Sequence, residues 1–153
     1  MEKIIFRVLD SFDTKLVKEI KKLEVQNLGA QAAINQWQIP VIIRYGKFIV
    51  AQDDKGSIIG VCELLRKWKE NDSAFLHSFY ISKDYRSKGT GRRLLEFVLE
   101  CLKSGGFKSV VLTVAPDNIA AVRLYSGAGF KIKEVLCNEY GPGTDRYLME
   151  KEL

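Results

Sequence analysis

The segment Lys108 to Ala115 constrains the fold most. Val110, Val111, Leu112 and Val114 make a nearly continuous apolar run, which suits a strand buried on both faces. Helical patterns flank it on both sides. Before it, Leu94, Leu95, Val98, Leu99 and Leu102 fall on one side of a helix that Gly105-Gly106 ends. After it, Pro116-Asp117-Asn118 leads into a helix from Ile119 to about Ala128, stopped by Gly129. Phe130 to Val135 then reads as a strand. Tyr147 to Met149 reads as the last one, after the turn Gly141-Pro142-Gly143. A strand buried on both faces between two amphipathic helices calls for a sheet covered by helices.

The first half has a different texture. Ile4 to Leu9 predicts a strand. From Thr14, Leu16, Val17, Ile20 and Leu23 recur at helical spacing, with Lys15, Lys18, Lys21 and Lys22 largely elsewhere. Asp13 or Thr14 caps the start, and Asn27 to Gly29 ends the helix. Ala30 to Trp37 predicts a second short helix, with Pro40 just beyond its end. Phe48 to Ala51 and Ile58 to Leu65 flank Asp53-Asp54-Lys55-Gly56, the pattern of a hairpin. After a polar turn over Lys67 to Asp72, Ser73 to Ile81 is another strand. The expected class is α/β (α+β): one mixed sheet with helices on both faces.

At 153 residues the chain has the length of one domain, expected over 1–153. Apolar residues at 46 % and charged residues at 28 % exclude general disorder. No apolar run approaches the length a bilayer needs, so no membrane partner is expected. Met1-Glu2-Lys3-Ile4-Ile5 begins polar and does not read as a secretory signal. Cys62, Cys101 and Cys137 form no CxxC pair, and His77 is the only histidine. No metal site is expected. The odd thiol count suits packing residues in a reducing cytoplasm. The net charge of +5 suits a nucleic acid or a polyanionic small molecule equally. Where the charge sits matters more than its sum.

It concentrates at one loop. Lys83, Arg86, Lys88, Arg92 and Arg93 lie around Gly89 and Gly91, between a strand and a helix. Glycine lets the backbone turn tightly and approach a ligand. The helix that follows offers unpaired N–H groups and positive dipole character. Together these suit a pyrophosphate. The loop lacks the Gly-Lys-Ser/Thr of a Walker A motif. Leu94 stands where a dinucleotide fingerprint needs its third glycine. What remains is Arg-x-x-Gly-x-Gly, Arg86 to Gly91, which also fits a flexible basic turn.

In context, Ile81-Ser82-Lys83-Asp84-Tyr85-Arg86-Ser87-Lys88-Gly89-Thr90-Gly91-Arg92-Arg93-Leu94-Leu95 resembles the acetyl-coenzyme A signature of the GNAT N-acetyltransferase superfamily. Asn118-Ile119-Ala120-Ala121-Val122-Arg123-Leu124-Tyr125-Ser126-Gly127-Ala128-Gly129-Phe130 resembles that family's second block, Asn-x-x-Ala-x-x-Leu-Tyr-x-x-x-Gly-Phe. The resemblance covers nearly the whole chain. It implies a sheet of about seven strands, splayed between the fourth and fifth, with about four helices. It implies acetyl-CoA as cofactor. The pantetheine arm would lie on the fourth strand at Phe79, Tyr80 and Ile81. The loop Arg86, Ser87, Lys88, Gly89, Thr90 and Gly91, with Arg92, would take the pyrophosphate. Asn118 would contact the cofactor, although asparagine is also a favoured helix cap.

The implied reaction is attack of a neutral amine on a thioester. It needs a proton acceptor for the ammonium and a donor for the leaving thiolate. The family block places the donor at Tyr125, which also contacts the cofactor; packing beside Phe130 is its other reading. His77 and Glu63 are the candidate acceptors, with a water chain as alternative. His77 shares a face of its strand with Phe79 and Ile81, and can also be a hydrogen-bonded sheet histidine. Glu63 matches a frequent acidic position, and edge solvation would also explain it. The hairpin Asn138 to Tyr147 resembles that of the branch acetylating protein N-termini, where Tyr140 would line a peptide groove. Trp37, Tyr45 and Trp68 suit core or interface packing, or an acceptor cleft.

The expected function is therefore amine N-acetylation, of a peptide or protein N-terminus or a small amine, by a cytoplasmic monomer or homodimer. A catalytically silent acetyl-CoA sensor of the same fold is the rival. A nucleic-acid binder lacks a recognition motif and a stacking platform.

Overall fold

The computed structural model describes residues 3–153; Met1 and Glu2, part of the polar start read above, lie outside them. Among the described residues the strand order is β1-β2-β3-β4-β5-β7-β6, a mixed seven-stranded sheet, with four α-helices. The residues group into two compact units interleaved in sequence. One comprises the chain to Leu65 and Ser78–Leu94; the other comprises Arg66–His77 and Leu95–Leu153. β4 (Ser73–Ile81) and α3 (Thr90–Ser104) contribute to both.

The first unit begins with β1 (Ile5–Leu9) and α1 (Thr14–Leu28). Asp13 caps α1, its Oδ1 accepting from Leu16 N at 2.7 Å, and satisfies one of the free N–H groups of the first turn. β1 pairs antiparallel with β2 (Lys47–Gln52), and β2 with β3 (Ile58–Arg66). The turn between β2 and β3 is closed by Asp53, whose Oδ1 accepts from the N–H groups of Lys55 and Ser57. Val17 and Ile20 of α1 share one core with Phe48, Val50 and Val61 of the sheet. That core stabilises the unit through apolar burial, about 1.5–3 kcal/mol for each large side chain.

The second helix differs from the sequence expectation. Residues 30–37 form turns, and α2 runs Gln38–Tyr45. Pro40 lies inside its first turn rather than beyond its end. There proline loses no intrahelical hydrogen bond, because the first-turn N–H groups have no intrahelical acceptor, and its fixed φ suits the helix. The apolar positions Ile39, Ile42 and Ile43 of α2 join the core.

In the second unit, β4 pairs parallel with β5 (Ser109–Val114) only from Ser73↔Ser109 to Leu76↔Leu112. β4 runs five residues further and β5 two, beyond this register. β5 pairs antiparallel with β7 (Arg146–Glu152), and β7 with β6 (Lys131–Leu136). Val110, Val111, Leu112 and Val114 are buried, as the apolar run from Lys108 predicts, and Met149 of β7 is buried beside Leu112. α4 (Ile119–Gly127) connects β5 to β6. Among the described residues no helix is long and apolar enough to cross a membrane.

Candidate functional site

In the first unit, β4 ends at Ile81 and a 3₁₀ turn, Lys83–Tyr85, delivers the chain to the glycine-bearing loop. Arg86 does not reach outward. Its Nε donates to Ile81 O at 2.7 Å and its Nη2 to Asn27 Oδ1 at 2.9 Å. Asn27 is held in turn by donating its Nδ2 to Leu23 O at 2.9 Å. One guanidinium thus ties the loop to the end of β4 and to the last turn of α1. Tyr85 adds a further tether, its hydroxyl donating to Asp53 Oδ2 at 3.1 Å. Burial alone would raise the Asp53 carboxyl; hydrogen bonds from Ser57 N–H, the Tyr85 hydroxyl and Lys55 N–H outweigh it and hold it below the usual aspartate range.

Just beyond these tethers the backbone turns sharply. Ser87 has φ 58° and Gly89 φ 79°. At Gly89 the left-handed conformation carries no Cβ penalty. α3 starts at Thr90, so Gly91 lies in its first turn rather than between strand and helix as the sequence suggested. The N–H groups of that turn have no acceptor within the helix. Lys88 and Arg92 flank this turn in sequence, and the Lys88 ammonium lies 5.5 Å from the Tyr85 ring centroid; free N–H groups at a helix start are a general anion-binding feature.

The fold buries two carboxylates in the same unit. Glu24 on α1 and Glu63 on β3 are both 0 % exposed. β3 lies between β2 and β4, which overturns edge solvation as an explanation for Glu63: it is an interior residue. Burial and the adjacent Glu63 carboxylate push Glu24 up to about 8, against the opposing effect of the Tyr80 hydroxyl and of Ile34 N–H. The Ile34 N–H donates to Glu24 Oε2 at 3.4 Å. Glu24 Oε1 and the Tyr80 hydroxyl are buried without a partner at hydrogen-bonding distance. Burial first, then the Glu24 charge, raises the Tyr80 phenol far above its ordinary range. The Tyr80 side chain therefore belongs to this cluster, and only its backbone remains for a ligand. Its β4 neighbours differ: Phe79 is partly buried and Ile81 buried.

Glu24 escapes sequence reasoning because an acidic residue reads as part of a solvated helix face. The signal is its spacing. Val17, Ile20 and Glu24 follow at intervals of three and four, so the carboxylate occupies the apolar stripe.

The second unit carries the other named residues. His77 is exposed on β4, with its ring 6.3 Å from that of Phe75. Asn118 is spent as the cap of α4, its Oδ1 accepting from Ala121 N at 3.2 Å. Tyr125, on α4, is 6 % exposed and lies 5.6 Å from Phe130, centroid to centroid. Tyr140 is 66 % exposed in the β6–β7 connection, with the Arg146 guanidinium 5.5 Å from its ring centroid. Trp37, Tyr45 and Trp68 are all strongly exposed and take no part in a core. Arg146 is missed in sequence because one arginine at a strand start reads as solvated, and nothing in its neighbourhood marks it out.

Comparison with known proteins gives this geometry a family. The acetyltransferase (GNAT) family model matches residues 14–130. The chain is similar to the ribosomal protein bS18-alanine N-acetyltransferase of Escherichia coli strain K12, 31 % identical over 102 residues, which are 67 % of this chain and 65 % of that protein. The chain thus spans about 65 % of the length of that curated relative. Among solved structures, the ribosomal-protein-S18-alanine N-acetyltransferase from Escherichia coli superposes with TM-score 0.78 at 21 % identity, covering 97 % of this chain and 94 % of that one. A chain in the NatC complex bound to Gag peptide and CoA gives TM-score 0.83 at 18 % identity, covering 99 % of each. At these identities the two structures show a shared fold.

Proposed function

The chain belongs to the acetyltransferase (GNAT) family, and from that premise we propose that residues 1–153 form one domain that transfers an acetyl group from acetyl-CoA to a primary amine. The observation that carries this reading is the loop from Arg86 to Gly91, locked by Arg86 to Ile81 O and Asn27 and opening into the first turn of α3. A preformed set of backbone donors beside Lys88 and Arg92 binds pyrophosphate without first paying to order the loop. The CoA in the NatC structure supports the choice of ligand. The relative named for acetylating an alanine of a ribosomal protein supports a peptide or protein N-terminus as acceptor, with a small amine as the other class.

Acetyl-CoA supplies an acetyl thioester. The loop Arg86, Ser87, Lys88, Gly89, Thr90 and Gly91, with Arg92, holds its pyrophosphate. The backbone of β4 at Phe79, Tyr80 and Ile81, beyond the β4–β5 register, lies along its arm, and Asn118, at the start of α4, is a further cofactor contact. His77 accepts the proton that the acceptor ammonium must lose. Its exposure lets it pass that proton to water, which the fully buried Glu63 does not do directly. His77→Ala should then lower turnover while leaving coenzyme A affinity nearly unchanged; full activity would reject that role. Tyr125 gives its hydroxyl proton to the departing thiolate.

Calorimetric titration tests the cofactor assignment. Gly91→Val adds bulk in the first turn of α3 and should weaken coenzyme A binding by about tenfold or more, the effect of losing one or two charge-assisted hydrogen bonds. Equal affinities for both proteins would remove the loop from the site.

A further inference from the structure

Arg146, at the start of β7, is partly buried, and among the described residues no carboxylate forms an ion pair with it. Its Nη2 donates to Thr113 O at 2.9 Å. Its Nε is buried with no partner. Tyr140 lies against one face of the guanidinium, 5.5 Å from centroid to Cζ. The adjacent Asp145 does not neutralise it: Asp145 Oδ1 instead accepts from Asn138 N at 2.9 Å. Interior guanidinium groups are normally paired, because an unpaired buried charge carries a large desolvation cost. Here, among the described residues, a neutral carbonyl and an aromatic ring are its partners.

The position is also informative. Thr113 is the penultimate residue of β5, and α4 starts five residues after the end of that strand. The carboxyl ends of strands in α/β sheets are where ligands bind. All these groups lie within the second unit.

We propose that Arg146 selects the acceptor: it binds a carboxylate or phosphate carried by the amine substrate, with Tyr140 as the wall that fixes the guanidinium plane. This rests on the acetyltransferase reading above and narrows its acceptor class to anionic amines. A guanidinium fork held by Thr113 O and stacked on Tyr140 keeps its remaining N–H groups oriented, which favours a bidentate anion. The acetyl transfer itself is unchanged; Arg146 only places the acceptor.

Matched acceptor pairs test this with the full chain and acetyl-CoA. The pairs are β-alanine against its amide, O-phosphoethanolamine against ethanolamine, and the C-terminally amidated dipeptides Ala-Glu amide against Ala-Gln amide. The anionic member of at least one pair should have a kcat/KM about 10-fold or more above its neutral partner, the effect of one charge-assisted hydrogen bond. The first and third pairs report a carboxylate, the second a phosphate. Arg146→Gln should bring that ratio close to unity, and Arg146→Lys should restore part of it. Coenzyme A affinity, measured in parallel, reports that the variants are folded. Equal rates within every pair, or a preference that survives in Arg146→Gln, would overturn the proposal and leave the acetyltransferase reading intact. Absence of turnover with all six acceptors would overturn that reading instead. Titration of glutarate and of inorganic phosphate into the protein then decides this one: binding lost in Arg146→Gln supports it, and identical or absent binding overturns it.

Discussion

The Arg86 guanidinium donates through Nη2 to Asn27 Oδ1 at 2.9 Å, joining the glycine-bearing loop to the last turn of α1. The same side chain reaches Ile81 O at 2.7 Å. The basic residue that looks in sequence like a phosphate ligand is, in the fold, the bolt that keeps the loop's backbone donors in place. Preorganisation of this kind raises affinity by removing the cost of ordering at the moment of binding.

Arg86 and Asn27 should therefore be energetically coupled. In a double-mutant cycle, Asn27→Ala should weaken acetyl-CoA binding several-fold in the wild-type background and have little further effect once Arg86→Ala is present. The expected coupling is about 1 kcal/mol. Calorimetry on the four proteins measures it. Strictly additive losses would show that the contact does not hold the loop for binding.

Much of this was legible before the structure. Arg86 and Gly89 stand in a short local pattern, and Asn118 and Tyr125 in another, so sequence order alone puts them in the expected loop and helix, while Gly91 falls one step later, inside α3. The strand from Ser109 announced itself because burial on both faces leaves no polar alternation. The second helix did not, because Pro40 looks like a terminator unless one knows that it sits in a first turn. Glu24 and Glu63 were opaque for a different reason. Their pairing joins positions 39 residues apart, and the local spacing that puts Glu24 in the apolar stripe of α1 does not reveal its partner. Long-range burial decided their chemistry.

The Glu24–Glu63 pair should make stability depend on pH. The Glu24 carboxyl rises from an ordinary 4.5 to about 8 in the fold. Between those values the folded state holds a proton that the unfolded state has released. Stability must then fall as pH rises through this window, with the contribution fully present only below about 4.5. Glu24→Gln removes this titration. Thermal melts from pH 5 to 8 should show a falling midpoint in the wild type and a flatter one in Glu24→Gln. The difference should be at least about 2–4 °C, the shift that about 1 kcal/mol produces in a domain of this size. Parallel slopes in the two proteins would reject Glu24 as the buried group whose proton the fold holds.

Tyr125 should act through its hydroxyl rather than its ring. The ring is buried against Phe130 at 5.6 Å, and phenylalanine preserves that contact. An ordinary tyrosine has a pKa of about 10, so it is protonated at neutral pH and can donate. Tyr125→Phe should lower turnover about 10²-fold or more while leaving coenzyme A affinity and the thermal midpoint nearly unchanged. Steady-state rates with a confirmed acceptor decide it. Full activity would leave Tyr125 a packing residue only.

The central claim is that the loop and α3 deliver an acetyl group to an amine. The direct measurement incubates the protein with acetyl-CoA carrying an isotope-labelled acetyl group and a panel of amines and peptides, and follows the label by mass spectrometry. The account predicts labelled N-acetyl product that depends on the protein and is reduced by Gly91→Val in proportion to lost coenzyme A affinity. Label recovered only as free acetate, at a rate no amine or peptide accelerates, would contradict it and identify the fold as an acetyl-CoA sensor.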